Sequence, residues 1–163
     1  MILIGLGANL PSQAGQPADT LKRALGELER QGVEIQGLSA LYQTPAWPDP
    51  ADPAFVNAVA AVKTSLQPVE LLMLLHGVET DFGRLRSASN APRTLDLDLL
   101  DYDGRVIADP QLMLPHPRMA TRSFVLVPLR DVAPGWRHPV TGHGLMELLA
   151  ALPDRDTPKK LAL

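Results

Sequence analysis

Apolar positions recur along the chain in two alternating rhythms. Ile2 to Ala8 is a nearly unbroken apolar run with glycines in it, which predicts a buried strand. In Ala18 to Arg30, Leu21, Leu25 and Leu28 stand at helical spacing with charges between them, predicting a helix. Val33 to Gln43 reads as a strand weakened by two glycines, and Phe55 to Thr64 as an apolar, β-prone strand. Pro68 to Phe82 has Pro68 at a first helical position, Glu70 in the first turn and Gly83 just past the end, the signature of a second helix. Thr94 to Tyr102 alternates leucine with aspartate, a strand with one apolar face. Val106 and Ile107 add a short strand. Arg122 to Val132 reads as a short helix or irregular, Leu145 to Leu152 as a short helix, and the residues from Pro153 onward as a frayed end.

The order strand, helix, strand, strand, helix, strand is that of a ferredoxin-like split βαβ sandwich, an α+β fold with helices packed on an antiparallel sheet. Loops fall at Pro11 to Pro17, at the proline-rich Thr44 to Pro53, and at Leu85 to Pro92. A length of 163 residues suits one domain spanning 1–163. Absence of cysteine removes disulfides and thiolate metal sites and agrees with a reducing, cytoplasmic setting. Met1 to Leu10 has no basic start and does not read as a signal peptide, and no apolar run approaches a membrane span. A net charge of −3 argues against a general nucleic-acid binder.

Charge is informative locally. Arg84 to Leu95 holds three arginines and no acid, and Asp96 to Asp103 holds four aspartates and no base. This suits a polyphosphate held with metal ions, and equally two neighbouring solvated patches. Within it lies Pro92-Arg93-Thr94-Leu95-Asp96-Leu97-Asp98-Leu99-Leu100. On a strand, Asp96 and Asp98 share one face and Leu95, Leu97 and Leu99 the other. Two such carboxylates can hold two magnesium ions, with Arg93 nearby to grip phosphate. A bare Asp-x-Asp also fits an edge strand with solvated aspartates.

Other candidates are weaker singly. Glu79 can orient an arginine or accept from a nucleotide, and Arg84 and Arg86 open the loop behind it; a solvated helix end is the plain alternative. His76, one turn earlier, reads by spacing as packing or surface more readily than as a functional group. Phe55 and Asn57 share a strand face, where Phe can stack on a flat ring and Asn can read its edge, or where one is core and the other a cap. His116 and Arg122 can reach phosphate, and Phe124 can supply a second stacking face. His138 and His143 read as surface. Gly5-Leu6-Gly7-Ala8-Asn9-Leu10 lacks the third glycine of a dinucleotide fingerprint; Gly7 reads as a turn residue and Asn9 as the strand end.

Taken together, Gly5 to Leu10, Tyr42-x-Thr44-Pro45, Phe55-Val56-Asn57, Glu79 to Arg86, Pro92 to Leu100 and Leu114 to Leu129 resemble the 6-hydroxymethyl-7,8-dihydropterin pyrophosphokinases of folate biosynthesis. The resemblance implies a monomeric ferredoxin-like enzyme that uses ATP and two Mg2+ ions, releases AMP and leaves pyrophosphate on the pterin hydroxymethyl group. It implies metal ligation by Asp96 and Asp98. Around the pterin it implies stacking by Phe55 and Phe124, edge reading by Asn57, and a bordering loop with Thr44, Pro45 and Trp47. It implies nucleotide contacts from His76, Glu79, Arg86, Arg93, His116 and Arg122, and a mobile-loop role for Arg84. Ser89, Asn90 and Ala91 stand where many relatives carry arginine and tryptophan, and Pro117 where some carry tyrosine; these departures bear on loop closure and nucleotide affinity. The loops Thr44 to Pro53 and Arg84 to Pro92 are expected to close over bound substrates. The rival readings are a metal-dependent nucleotidyltransferase, which would release pyrophosphate, and a non-catalytic ferredoxin-like binding module.

Overall fold

The computed structural model describes residues 1–84, 93–153 and 157–162. In chain order the elements are β1 (Ile2–Ala8), α1 (Pro17–Arg30), β2 (Glu34–Leu38), β3 (Tyr42–Thr44), β4 (Phe55–Lys63), α2 (Pro68–Asp81), β5 (Asp96–Tyr102), β6 (Ile107–Ala108) and β7 (Met113–Leu114). A 3-10 turn at Met119–Thr121, α3 (Ser123–Val132), α4 (Leu145–Ala150) and β8 (Lys159–Lys160) follow. Both long helices begin with glutamine and then proline, and an acid three residues after the glutamine closes the turn. Asp19 accepts from the Gln16 amide at 3.1 Å, and Glu70 from the Gln67 amide at 2.7 Å.

The main sheet runs β5-β1-β4, with β2 and β3 end to end along the far edge of β4, all antiparallel. This is the expected ferredoxin-like arrangement. Its two faces are separately packed. Ile2, Ile4, Leu6, Ala58, Ala60, Val62, Leu97 and Leu99 meet Leu21, Leu25 and Leu28 of α1 and Leu71, Leu75 and Val78 of α2. On the other face Leu3, Val59, Ala61 and Leu100 meet Val125, Leu126 and Leu129 of α3 and Leu145 of α4.

Three expectations change. The strand read over Val33 to Gln43 is two strands, because Ser39 interrupts it: its amide donates to the Val59 carbonyl at 2.9 Å, and its hydroxyl accepts from the Val59 amide at 3.0 Å. The end of the chain is not wholly frayed. Lys159 and Lys160 pair with Gln43 and Tyr42, and the Leu161 amide donates to the Leu41 carbonyl at 2.8 Å. Two lysines make no apolar pattern, so only pairing reveals this strand. Gly7 lies inside β1, not in a turn, and is not among the glycines with positive φ. Arg86 and the Ser89-Asn90-Ala91 stretch lie outside the described residues. Among the described residues, no helix is long and apolar enough to cross a membrane.

Candidate active site

The site lies where the α3 face of the sheet stops being apolar. Along β1, Leu3 gives way to Gly5 and Gly7; along β5, Leu100 gives way to Asp98 and Asp96; along β4, Val59 gives way to Asn57 and Phe55. Strand register pairs Gly5 with Asp98 and Gly7 with Asp96, and pairs Gly7 with Asn57 on its other side. Leu95, Leu97 and Leu99 are buried toward α1 and α2, which fixes both carboxylates on the opposite face.

Asp96 is held from two directions. Arg84 Nη1 donates to one carboxylate oxygen at 2.6 Å, and Arg93 Nη1 to the other at 2.9 Å. Arg84 also pairs with Glu79, which is 3 % exposed and accepts from the Leu97 backbone amide at 3.3 Å. Glu79 is therefore no solvated helix end. It ties α2 to β5 and pairs with Arg84, in keeping with the arginine-orienting role its position suggested.

Asp98 makes no such pair. Burial, then the neighbouring charge of Asp96, raise its pKa to about 7, against the pull of Arg122, Arg84 and Arg93. A carboxylate in that state favours an approaching cation. His116 follows β7, its amide donating to the Leu100 carbonyl at 2.8 Å. Its Nδ1 accepts from the Arg118 amide at 3.2 Å, so Nε2 carries the proton of the neutral ring. Burial, then Arg122 and Arg118, lower its pKa to about 4. Arg122 caps the start of α3, with its guanidinium 5.3 Å from the Phe124 ring centre.

Across Gly7 the character is different. Asn57, 5 % exposed, donates through Nδ2 to Thr44 Oγ1 at 2.9 Å. Phe55 is half-buried beside it, with the Arg93 guanidinium 5.9 Å from its ring centre. Arg93 thus spans both halves, touching Asp96 and Phe55. Pro45 is exposed and Trp47 is 70 % exposed, so this part of the loop lies open. His76 sits half-buried on α2, one turn from Glu79.

Asn9 was read only as a strand end, yet it fastens the site's borders. Its Oδ1 accepts from the Arg93 amide at 2.8 Å, its Nδ2 donates to the Pro53 carbonyl at 3.0 Å, and its own amide donates to the Arg93 carbonyl at 3.2 Å. Asn9 is 2 % exposed, and these bonds satisfy its buried polar groups. The same contact holds the end of the Thr44 to Pro53 loop, which is also pinned at its start by buried Thr44 and Ala46. Just before β5, Thr94 contributes a buried hydroxyl without a hydrogen-bond partner among the described residues.

Among the described residues, no group of three or more His, Asp and Glu side chains could hold a metal. Two carboxylates with a cation-favouring Asp98 suit magnesium all the same, because that ion takes one or two carboxylates and completes its shell with phosphate oxygens and water.

The family model described as 7,8-dihydro-6-hydroxymethylpterin-pyrophosphokinase matches residues 3–134. The chain belongs to this family. A 2-amino-4-hydroxy-6-hydroxymethyldihydropteridine pyrophosphokinase of Pseudomonas aeruginosa is 40% identical, over 93% of this chain and 91% of its own length. One of the same name from Synechocystis is 39% identical, over 90% of this chain and 73% of its own. The crystal structure of wild-type Plasmodium falciparum HPPK-DHPS superposes with a TM-score of 0.71 at 17% identity, over 91% of this chain and 40% of that one. At that identity the likeness is one of fold, and it agrees with the ferredoxin-like sheet.

Proposed function

We propose that the polar end of the sheet's α3 face, across β1, is where this chain performs its family's reaction, with nucleotide and metal at the β5 side and pterin at the β4 side. As a pyrophosphokinase of folate synthesis, the chain transfers a pyrophosphoryl group from ATP to 6-hydroxymethyl-7,8-dihydropterin. The observation that carries this reaction is the family match over residues 3–134. The residue roles rest on the geometry around Gly7.

Asp96 and Asp98 would hold two magnesium ions, which when bound neutralise phosphate charge and polarise the β-phosphorus. The pterin hydroxyl oxygen bonds to the β-phosphorus, and the bond from that phosphorus to the oxygen bridging to the α-phosphate breaks. AMP departs with that oxygen, and the hydroxyl proton passes to water. Arg93 and Arg122 balance charge on the transferring group, and Arg84 leaves Asp96 and Glu79 to join them. His116, neutral above about pH 4, donates from Nε2 to a phosphate or ribose oxygen. Asn57 reads the pterin edge while Phe55 and Phe124 stack on its ring, and the backbone at Thr44, Pro45 and Trp47 borders it. His76, Glu79 and Arg86 serve the nucleotide side. No side chain stands as a general base, so positioning carries much of the acceleration.

The resemblance supports a monomer, a single domain over 1–163 and a cytoplasmic setting. Incubation with ATP, magnesium and the reduced pterin alcohol should yield AMP and the pterin pyrophosphate. ADP as the main nucleotide product would contradict the transfer. Released pyrophosphate with nucleotide on the acceptor would establish the nucleotidyltransferase instead.

A further inference from the structure

Gly7 stands between the two halves of the site. Asn57 is its partner on β4 and Asp96 its partner on β5, which puts the two side chains about 10 Å apart across a residue with no side chain. Backbone conformation does not require glycine here, since Gly7 is not among the positive-φ residues. Space does. A Cβ added at Gly7 would stand 2.8 Å from Asn57 Oδ1, whereas its next nearest neighbours, Asn57 Cγ and the Val56 carbonyl, are at 3.9 Å. The conflict is with one amide oxygen and nothing else. By contrast, a Cβ at Gly5, two residues earlier on the same strand face, has Leu100 side-chain carbons as its nearest neighbours, none closer than 3.5 Å, an ordinary contact.

The other end of the same amide is fixed by Thr44, whose hydroxyl accepts from Asn57 Nδ2 at 2.9 Å. Register places Tyr42 opposite Asn57 and Thr44 opposite Phe55, so this bond is a diagonal across the β3–β4 pair. The Asn57 carboxamide is thereby bounded on its oxygen side by an empty position and on its nitrogen side by a hydroxyl.

We infer that Gly7 and Thr44 are positioning residues for pterin selection: Gly7 leaves the gap that the Asn57 oxygen occupies, and Thr44 sets which way the amide faces. This rests on the reading of Asn57 as the reader of the pterin edge. A heterocycle that presents a donor and an acceptor side by side is recognised only by an amide with its oxygen and nitrogen in fixed places. A methyl at position 7 pushes the oxygen aside. The end of a side chain can yield at little expense to the sheet, so the fold survives while the recognition geometry is lost.

The test is steady-state AMP formation by the full chain, with KM measured separately for pterin and for ATP. Gly7→Ala should raise the pterin KM about tenfold, the worth of one well-placed hydrogen-bonding group. It should leave the ATP KM within about twofold, and Gly5→Ala should not reproduce the pterin effect. In an Asn57→Ala background, Gly7→Ala should add less than about twofold, since the amide it displaces is gone. Thr44→Val keeps shape and removes the hydroxyl; it should also raise the pterin KM selectively, and it decides the matter if Gly7→Ala does not fold. Equal losses for both substrates, an undiminished effect of Gly7→Ala without the Asn57 amide, or a pterin KM unmoved by Thr44→Val would overturn the inference. If Asn57→Ala itself leaves the pterin KM unchanged, the reading of Asn57 falls, and this inference with it.

Discussion

The two halves of the candidate site are built on opposite principles. On the β5 side, carboxylates and guanidinium groups are already paired: Asp96 with Arg84 and Arg93, Arg84 with Glu79. On the β4 side, a neutral amide and a hydroxyl meet at 2.9 Å over a missing side chain. Charged partners act over several ångströms and tolerate rearrangement, so the β5 side can exchange internal pairs for phosphate and metal. An amide discriminates only by direction and distance, and on the β4 side the buried Asn57 amide is fixed by the Thr44 hydroxyl. The site thus joins an adaptable electrostatic half to a rigid recognition half.

The largest effect should come from removing the charged half's acids. Asp96→Asn or Asp98→Asn should lower kcat by about a thousandfold or more, as loss of metal-assisted charge stabilisation entails. Circular dichroism should show both folded. Near-normal turnover in both at ordinary magnesium would mean that the carboxylates are not metal ligands.

Glu79 tests whether the charged half depends on its buried anchor. Glu79→Ala leaves the Leu97 amide unpaired and Arg84 with Asp96 alone, and should cost about 2–3 kcal/mol, or roughly 5–10 °C in Tm for a domain of this size. A Tm unchanged within about 1 °C would show that the anchor is dispensable. In the neutral half, Phe55→Ala and Phe124→Ala should each weaken pterin binding about three- to tenfold, the range of one lost aromatic stack. Calorimetry should find nucleotide binding changed much less, and equal losses for both ligands would make these core residues.

The smallest expected effect concerns His116. Its folded pKa of about 4 lies below the ordinary 6.5, so the unfolded chain takes up the proton first. Stability conferred by the neutral ring is full above about pH 6.5, falls as pH drops toward 4, and changes no further below that. Tm measured across that range should fall more steeply for the native chain than for His116→Gln. Parallel curves would contradict the burial argument.

The charged half was legible in the sequence because leucine and aspartate alternate from Leu95 to Leu99, and alternation maps directly onto the two faces of a strand. The first helix was legible from Leu21, Leu25 and Leu28, though its first residue, Pro17, reads as part of the preceding loop, and the second from Pro68 at its start. What escaped depends on pairing between distant segments. Gly7 looked like a turn because glycine alone does not tell a bend from a gap. Asn9 looked like a strand end because its partners, Pro53 and Arg93, are remote in sequence. The split between β2 and β3 and the lysine pair of β8 depend on register against β4 and β3, which no local pattern encodes.

The division of labour across Gly7 is tested most directly by titrating native chain, Asp98→Asn and Asn57→Ala with a non-hydrolysable ATP analogue in magnesium, and separately with the pterin in the analogue's presence. The expected result is a crossover: Asp98→Asn weakens the metal-dependent nucleotide affinity and Asn57→Ala leaves it within about twofold, while Asn57→Ala weakens pterin binding about tenfold. Parallel losses of both ligands in both variants would contradict the account.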